Sequence, residues 1–323
     1  MLSEEKIIEL FRGAVYHRQV SPPGDDAAYL EMEKGRYLLF STDQLIEGTH
    51  FLLDYFSPQD LAIKLTERCL SDIYVKGGRP LYALLNMGLS LSLAKEGIFV
   101  KKFARALKQI LKEHQVSLIG GDTARSEKNH FSLAVLGESE IFIARQNKSI
   151  QKGDILALEG YVGGSDYVLS LLQTKSKISQ KIKNVHLRPR AWAREAHWLK
   201  SHALAALDQS DSLYESLFYL ALANKLHLRI ELSYLPLIEP LKELEENQRL
   251  AYLLSGGEDL AVVAIVKKEK ASTLPPRVSL IGEVEKVGGK PTLAFFYKGQ
   301  KIRVENLRKP FAHFRSVCTE NEK

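Results

Sequence analysis

Apolar positions along the chain fall into two patterns, one with helical spacing and one in short continuous runs bounded by polar residues. Ser3 with Glu4 and Glu5 predicts a capped helix with an acidic first turn, running to about His17. Ser21-Pro-Pro-Gly-Asp-Asp26 cannot be helical and predicts a loop, after which 36–42 reads as a strand. Ser57-Pro-Gln-Asp60 has a cap residue, a proline at the first helical position and an acid three residues after the cap. The helix it opens places Leu61, Leu65, Cys69 and Ile73 on one face. Further on, 82–91 predicts a buried strand and 99–114 a helix with Phe103, Leu107, Ile110 and Leu111 inward. A strand at 116–119 should end at Gly120-Gly121-Asp122, and 130–144 should form two short strands around Gly137.

From Lys152 the pattern restarts, which predicts two domains, 1–150 and 151–323. A strand at 155–159, a turn at Gly163-Gly164 and a helix at 166–172 come first, then an exposed Lys-rich segment at 173–184. Helices at 189–202 and 212–225 and strands at 203–207, 228–232, 260–266 and 278–284 follow. Strands alternating with helices in both halves predict an α/β or α+β architecture, and 323 residues suit two domains.

Composition narrows the class. Hydrophobic residues at 45% and charged residues at 26% are the balance of a globular protein, and 21 Gly with 11 Pro exclude collagen or a disordered linker. The longest apolar run, Leu260 to Val266, is far short of the ~20 residues that cross a bilayer. A polar opening, Met1-Leu-Ser-Glu-Glu-Lys6, predicts no secretory leader, and Cys69 with Cys318 makes no disulfide framework, so a cytoplasmic protein is expected. The net charge of +6 is spread over small clusters at 175–183, 188–194 and 267–270, none interleaved with aromatics as a single-strand groove requires. No nucleic-acid or membrane partner is expected; a mild positive field suits small anions such as phosphates.

The chemistry lies in the carboxylates. Asp25 and Asp26 fall in a Pro/Gly loop, Asp43 ends a strand, Asp72 follows Ser71 in a helix, and Asp122 follows a glycine pair. Asp208 and Asp211 follow an apolar strand, and Gly256-Gly-Glu-Asp259 precedes another. Taken singly, each reads as a turn or cap residue; the repetition at element ends carries the weight. Carboxylates gathered in one cleft repel and need cations, and hard oxygen donors without His or Cys pairs point to Mg²⁺. Magnesium on carboxylates keeps company with phosphates, which suggests phosphoryl transfer. Neither a P-loop nor the G-x-G-x-x-G, H-R-D and D-F-G set of protein kinases occurs.

Gly24-Asp-Asp-Ala-Ala28, Ser41-Thr-Asp-Gln-Leu-Ile-Glu-Gly-Thr-His-Phe51, Ser71-Asp-Ile73 and Gly120-Gly-Asp-Thr-Ala-Arg125 together resemble the thiamine-monophosphate kinase family. Leu187-Arg-Pro-Arg190, Ser210-Asp211, Gly256-Gly-Glu-Asp259 and Ile281-Gly-Glu283 continue the likeness along nearly the whole chain. The wider superfamily includes aminoimidazole-ribonucleotide synthetase and selenophosphate synthetase. The resemblance implies a homodimer whose N-terminal mixed sheets pair into a β-barrel, with a C-terminal α/β sandwich completing the active site. It implies direct transfer of the ATP γ-phosphoryl group to thiamine monophosphate. By position it assigns Asp26, Ser41, Thr42, Asp43, Asp72, Asp122, Asp208 and Asp211 to several Mg²⁺ ions, with Asp43, Asp122 and Asp211 central to catalysis. Phe103, Gly121, Asp122, Arg145 and Ser210 would lie near ATP, and His50, Glu258 and Phe311 near the thiamine substrate.

Departures from the family pattern keep two further readings open: an impaired relative that binds nucleotide or thiamine phosphate, and a same-fold enzyme with another acceptor. Ser212 and Leu260 stand where the family has glycine and tyrosine, and Gln209 where an apolar residue is usual. Ser71-Asp-Ile-Tyr-Val-Lys-Gly77 stands where the family has a run of small residues and a methionine. A β-carbon at Ser212 is expected to crowd a phosphate, or to force a different turn if the position needs positive φ.

Overall fold

The computed structural model describes residues 4–11, 19–21, 23–33 and 35–304. The first half runs α1 (Glu4–Phe11), β1 (Ala28–Glu33), β2 (Arg36–Ile46), α2 (Pro58–Val75), β3 (Arg79–Leu89), α3 (Leu91–Glu96), α4 (Ile98–Glu113), β4 (Ser117–Arg125) and β5 (His130–Ser139). Its strands form one mixed sheet in the order β1-β2-β5-β3-β4, in which only the β3–β4 pair is parallel. The second half runs β6 (Ile155–Glu159), α5 (Gly164–Gln173), α6 (Gln180–Leu187), α7 (Leu199–His202), β7 (Ala203–Asp208) and α8 (Leu213–Asn224). β8 (Leu226–Glu231), α9 (Glu239–Lys242), α10 (Glu246–Ser255), β9 (Val262–Val266), β10 (Val278–Val287), β11 (Thr292–Tyr297) and β12 (Gln300–Lys301) complete it. These strands make a second sheet, β12-β11-β8-β10-β6-β9-β7.

Helix α2 is the hub between the sheets. Ser57 and Asp60 form the capping box that their spacing predicts: the Asp60 amide donates to Ser57 Oγ at 3.2 Å and the Ser57 amide to Asp60 Oδ2 at 3.0 Å. Leu61, Leu65, Cys69 and Ile73 pack into the first core beside Leu39, Leu133 and the α4 stripe of Phe103, Leu107, Ile110 and Leu111. Burying each such side chain contributes about 2 kcal/mol. The opposite side of α2 meets β7 and the short 3₁₀ turn Trp192–Arg194, so Val75 joins a core otherwise drawn largely from the second half.

Several expectations change in detail. The strand expected at 116–119 runs on to Arg125, because parallel pairing with β3 carries it through Gly120-Gly121-Asp122. Gly137 does not separate two strands but sits inside β5, where a Cβ would come within 2.7 Å of the Ile73 side chain. The helix expected at 189–202 is a 3₁₀ turn and a single turn of α7, since the Ala191 amide is diverted to Glu67 Oε2 at 2.8 Å. The Lys-rich segment contains α6, capped by Ser179. Elements α3, α9, α10, β1, β11 and β12 are not among those the sequence predicts. The first helix is described to Phe11, and its expected continuation to His17 lies outside the described residues.

Candidate active site

Lys64, Arg68 and Asp72 lie four residues apart on α2 and so share one face, directed to the junction of the two halves. Lys64 is fully buried and its Nζ is 2.8 Å from Glu258 Oε2. Arg68 Nη1 is 2.9 Å from Glu258 Oε1, while its Nε and Nη2 donate to Asp43 Oδ2 and Oδ1 at 2.7 and 3.2 Å. That fork is the geometry a guanidinium offers and an ammonium does not. Burial alone would raise the Glu258 carboxyl, but Lys64 and Arg68 hold it down at about 2. Burial and the nearby Lys64 charge push the His186 imidazole down to about 3, leaving it neutral.

The loop carrying Glu258 is locked in place. Glu258 and Leu260 both have left-handed backbones, φ 64° and 54°, which costs on the order of 1 kcal/mol each for non-glycine residues. Their amides donate to Ser210 O at 2.8 Å and Gln209 O at 3.0 Å. Gln209, fully buried, returns its Nε2 to Asp211 O at 2.5 Å and Gly256 O at 2.8 Å. A polar residue at this position is therefore a brace for the loop. Between the two strained residues, Asp259 accepts the amides of Gly163 at 2.6 Å and Ser165 at 2.7 Å at the start of α5. Burial pushes its carboxyl up to about 8, against the pull of those amides.

Deeper in the junction lies a carboxylate cluster. Asp208, at the end of β7, is 4% exposed and neither of its oxygens has a hydrogen-bond partner. Burial, with the charge of Asp26 added, pushes it up to about 7. Asp72 accepts from Ser41 Oγ and is raised well above the usual carboxylate range by burial and by the charges of Asp208 and Asp26. Asp25 and Asp26 meet two cations: Lys76 Nζ at 2.7 and 2.8 Å, and Arg145, whose Nη2 is 2.6 Å from Asp26 Oδ1 and whose amide donates to Asp25 Oδ2 at 2.8 Å.

Among the described residues no three His, Cys, Asp or Glu side chains converge as a ready metal cage. The donor chemistry nevertheless fits a hard cation. Asp208, whose two oxygens have no hydrogen-bond partner, and Asp72 beside it are buried acids whose ionised forms a cation would stabilise. Magnesium characteristically takes one or two carboxylates and completes its shell with water and phosphate oxygens.

Beside the cluster opens a cavity of about 440 Å³ lined by His50, Phe51, Phe56, Arg68, Ser210, Asp211 and Glu258, among others. His50 Nδ1 accepts the Ile46 amide at 3.1 Å, which fixes the imidazole on the turn after β2. Tyr55 also lines a smaller cavity of about 230 Å³ with Lys175, Ser176 and Lys183, so the Lys-rich segment borders the site. Ser212 lies on the main cavity wall with φ −71° and caps α8, its Oγ accepting the Glu215 amide at 3.1 Å. The expected need for positive φ there is not met: an L-residue is at ease, and the hydroxyl is turned into the helix end.

The structure brings together Asp26, Ser41, Asp43, Asp72, Asp208 and Arg145 at the cluster, and His50, Ser210, Asp211 and Glu258 around the cavity. Others stand apart. Thr42 alternates to the opposite, exposed face of β2 from Ser41 and Asp43. Asp122 lies on exposed β4, separated from β2 by β3 and β5, and its carboxylate accepts the Thr123 amide at 2.9 Å. Gly121, with φ 144°, is needed there because a Cβ would fall 1.8 Å from Leu85 O. Phe103, expected near ATP, is 1% exposed, with its ring centroid 4.7 Å from that of Phe131. The apolar stripe of α4 turns it inward. Phe311 lies outside the described residues. Lys64 and Arg68 are not singled out by the sequence, and Lys76 only as a departure from the family pattern; the signal available is a charged stripe within an otherwise buried helix.

Residues 24–139 match the family described as AIR synthase related protein, N-terminal domain. The thiamine-monophosphate kinase of Leptospira interrogans is 31% identical over 305 residues, covering 92% of this chain and 94% of its own. That of Escherichia coli K12 is 32% identical over 266 residues, 80% of each chain. Among solved structures, AaThiL complexed with AMPPCP and TMP superposes with a TM-score of 0.82 at 29% identity, over 97% of both chains. Relatives at 31% and 32% identity, covered over 94% and 80% of their own length, place this chain in the thiamine-monophosphate kinase family.

Proposed function

We propose that this chain transfers the γ-phosphoryl group of ATP to thiamine monophosphate. An acceptor phosphate oxygen forms a bond to the γ-phosphorus as the bond to the β,γ-bridging oxygen breaks, giving thiamine diphosphate and ADP. The observation that carries the reading is Arg68, which lines the cavity walled by Phe51, Phe56, His50 and Glu258 and pairs with Asp43, whose charge acts on both Asp72 and Asp208. The thiazolium ring is a cation, and an ionised Glu258 with aromatic neighbours suits it. Arg68, between Asp43 and Glu258, lies where the acceptor phosphate would pass from cavity to cluster. Magnesium held by Asp72 and Asp208, with Asp43 and Asp26 beside them, would neutralise charge on the transferring group. The protein's own part is positioning: fixed charges and a locked loop hold both substrates in line without reorganisation.

Residues 1–150 would carry the nucleotide and metal groups and the dimer contact, and 151–323 would complete the acceptor site. A homodimer closing a barrel is supported by the open sheet face, where Phe40 and Tyr82 flank Leu136 and are 36% and 46% exposed, and by Leu118 and Ile119 on free strand β4. Gly121, Asp122 and Thr42 would then serve at that interface-side rim. Among the described residues no helix is long and apolar enough to cross a membrane, and a cytoplasmic setting fits the substrates. The test is acceptor dependence: ADP release should require thiamine monophosphate, with thiamine or aminoimidazole-type acceptors inert. Equal ADP release without it, or with another acceptor, would reject the reading.

A further inference from the structure

Lys76 ends α2, and its side chain is fully buried. Its Nζ is 2.6 Å from Ala206 O, 2.7 Å from Asp25 Oδ1 and 2.8 Å from Asp26 Oδ2. The contact with Ala206 O is a hydrogen bond, and the two aspartate contacts are close ion pairs. The three oxygens come from the loop before β1 and from β7. Two carboxylates and a backbone carbonyl closing on one point form the donor set that a hard divalent cation takes. Burial works against the ammonium, and the two aspartates more than offset it.

The remaining carboxylates divide in the same way. The second oxygen of Asp26 faces Arg145 at 2.6 Å, and both oxygens of Asp43 face Arg68. Asp208 has no hydrogen-bond partner on either oxygen, and Asp72 accepts the Ser41 hydroxyl. Permanent cations thus satisfy one side of the cluster and leave the other to something mobile.

We propose that Lys76 is a built-in counter-ion, holding with its ammonium a cation position that Asp25, Asp26 and Ala206 O would otherwise offer to a divalent metal. This rests on the reading of the cluster as a magnesium site. Divalent metal then enters only on the Asp72–Asp208 side. Hydrogen-bonded to Ala206 O and ion-paired with both aspartates, the Lys76 ammonium is committed inside the protein, so the Asp25–Asp26 end is a fixed strut. The strut also ties the end of α2 to β7 and so fixes Asp208 against Asp72.

The test counts metal. Free Mn²⁺ is measured by electron paramagnetic resonance with the full chain, with and without AMPPCP, for wild type, Lys76→Met and Lys76→Gln. Circular dichroism follows folding in parallel. Both variants are expected to bind one more Mn²⁺ per chain than wild type. An equal, non-zero number in all three overturns the counter-ion while leaving the metal site standing. No Mn²⁺ bound by any of them overturns both. Variants that stay unfolded at saturating Mn²⁺ also overturn it, because a metal able to take the ammonium's place would restore the charge balance.

Discussion

Lys64 and Glu258, 194 residues apart in the chain, meet with Nζ 2.8 Å from Oε2, and this ion pair joins the hub helix to the locked loop of the second half. Lys64 has no exposure to water, so the pair is not the weak surface kind. Removing one partner strands the other. Glu258→Gln should therefore destabilise the protein by about 3 kcal/mol, measured by urea unfolding. A loss within ~0.5 kcal/mol would mean that the pair is cosmetic.

The same carboxyl sets a pH dependence. Its folded value of about 2 lies below its ordinary 4.5, so its contribution is fully present above about 4.5 and fades as pH falls toward 2. Wild type should lose stability over that window more steeply than Glu258→Gln. Parallel acid-unfolding curves for the two proteins would contradict the assignment.

Ser212 supplies a cap rather than an obstruction. Ser212→Ala should cost about 1 kcal/mol of stability, whereas Ser212→Gly should cost only ~0.3 kcal/mol. Turnover of the glycine variant should match wild type, since the backbone at this position is already relaxed. A marked rise in turnover would show that the β-carbon does crowd the phosphates.

Much of this architecture was legible in local sequence. The Ser57-Pro-Gln-Asp60 cap, the inward stripes of α2 and α4 and the strands at 36–42, 155–159 and 203–207 all depend on neighbours in the chain. Ordered motifs likewise located most cluster and cavity residues. What escaped depends on distant partners. β4 passes through two glycines because β3 pairs with it, and Lys76 is buried because Asp25, Asp26 and Ala206 surround it from 51, 50 and 130 residues away. Phe103 shows the reverse: its helical spacing alone predicts the burial that is observed.

Gly121 tests how far the β3–β4 pairing matters. An added Cβ would stand 1.8 Å from Leu85 O at a backbone φ of 144°. Gly121→Ala should lower stability by about 3 kcal/mol and shift the thermal unfolding midpoint down, because the parallel pair must open to admit it. An unchanged midpoint would mean that the strand adapts without strain.

The central claim is that the Asp72–Asp208 cluster and the adjoining cavity form one phosphoryl-transfer site. Its most direct measurement follows thiamine diphosphate, as its fluorescent oxidation product, from purified chain with ATP, Mg²⁺ and thiamine monophosphate, beside Asp208→Asn. Wild type should form product in proportion to enzyme, and the variant should be about 10²-fold slower or worse while retaining its circular dichroism spectrum. Wild-type rates in a folded Asp208→Asn, or no product from wild type, would contradict the account.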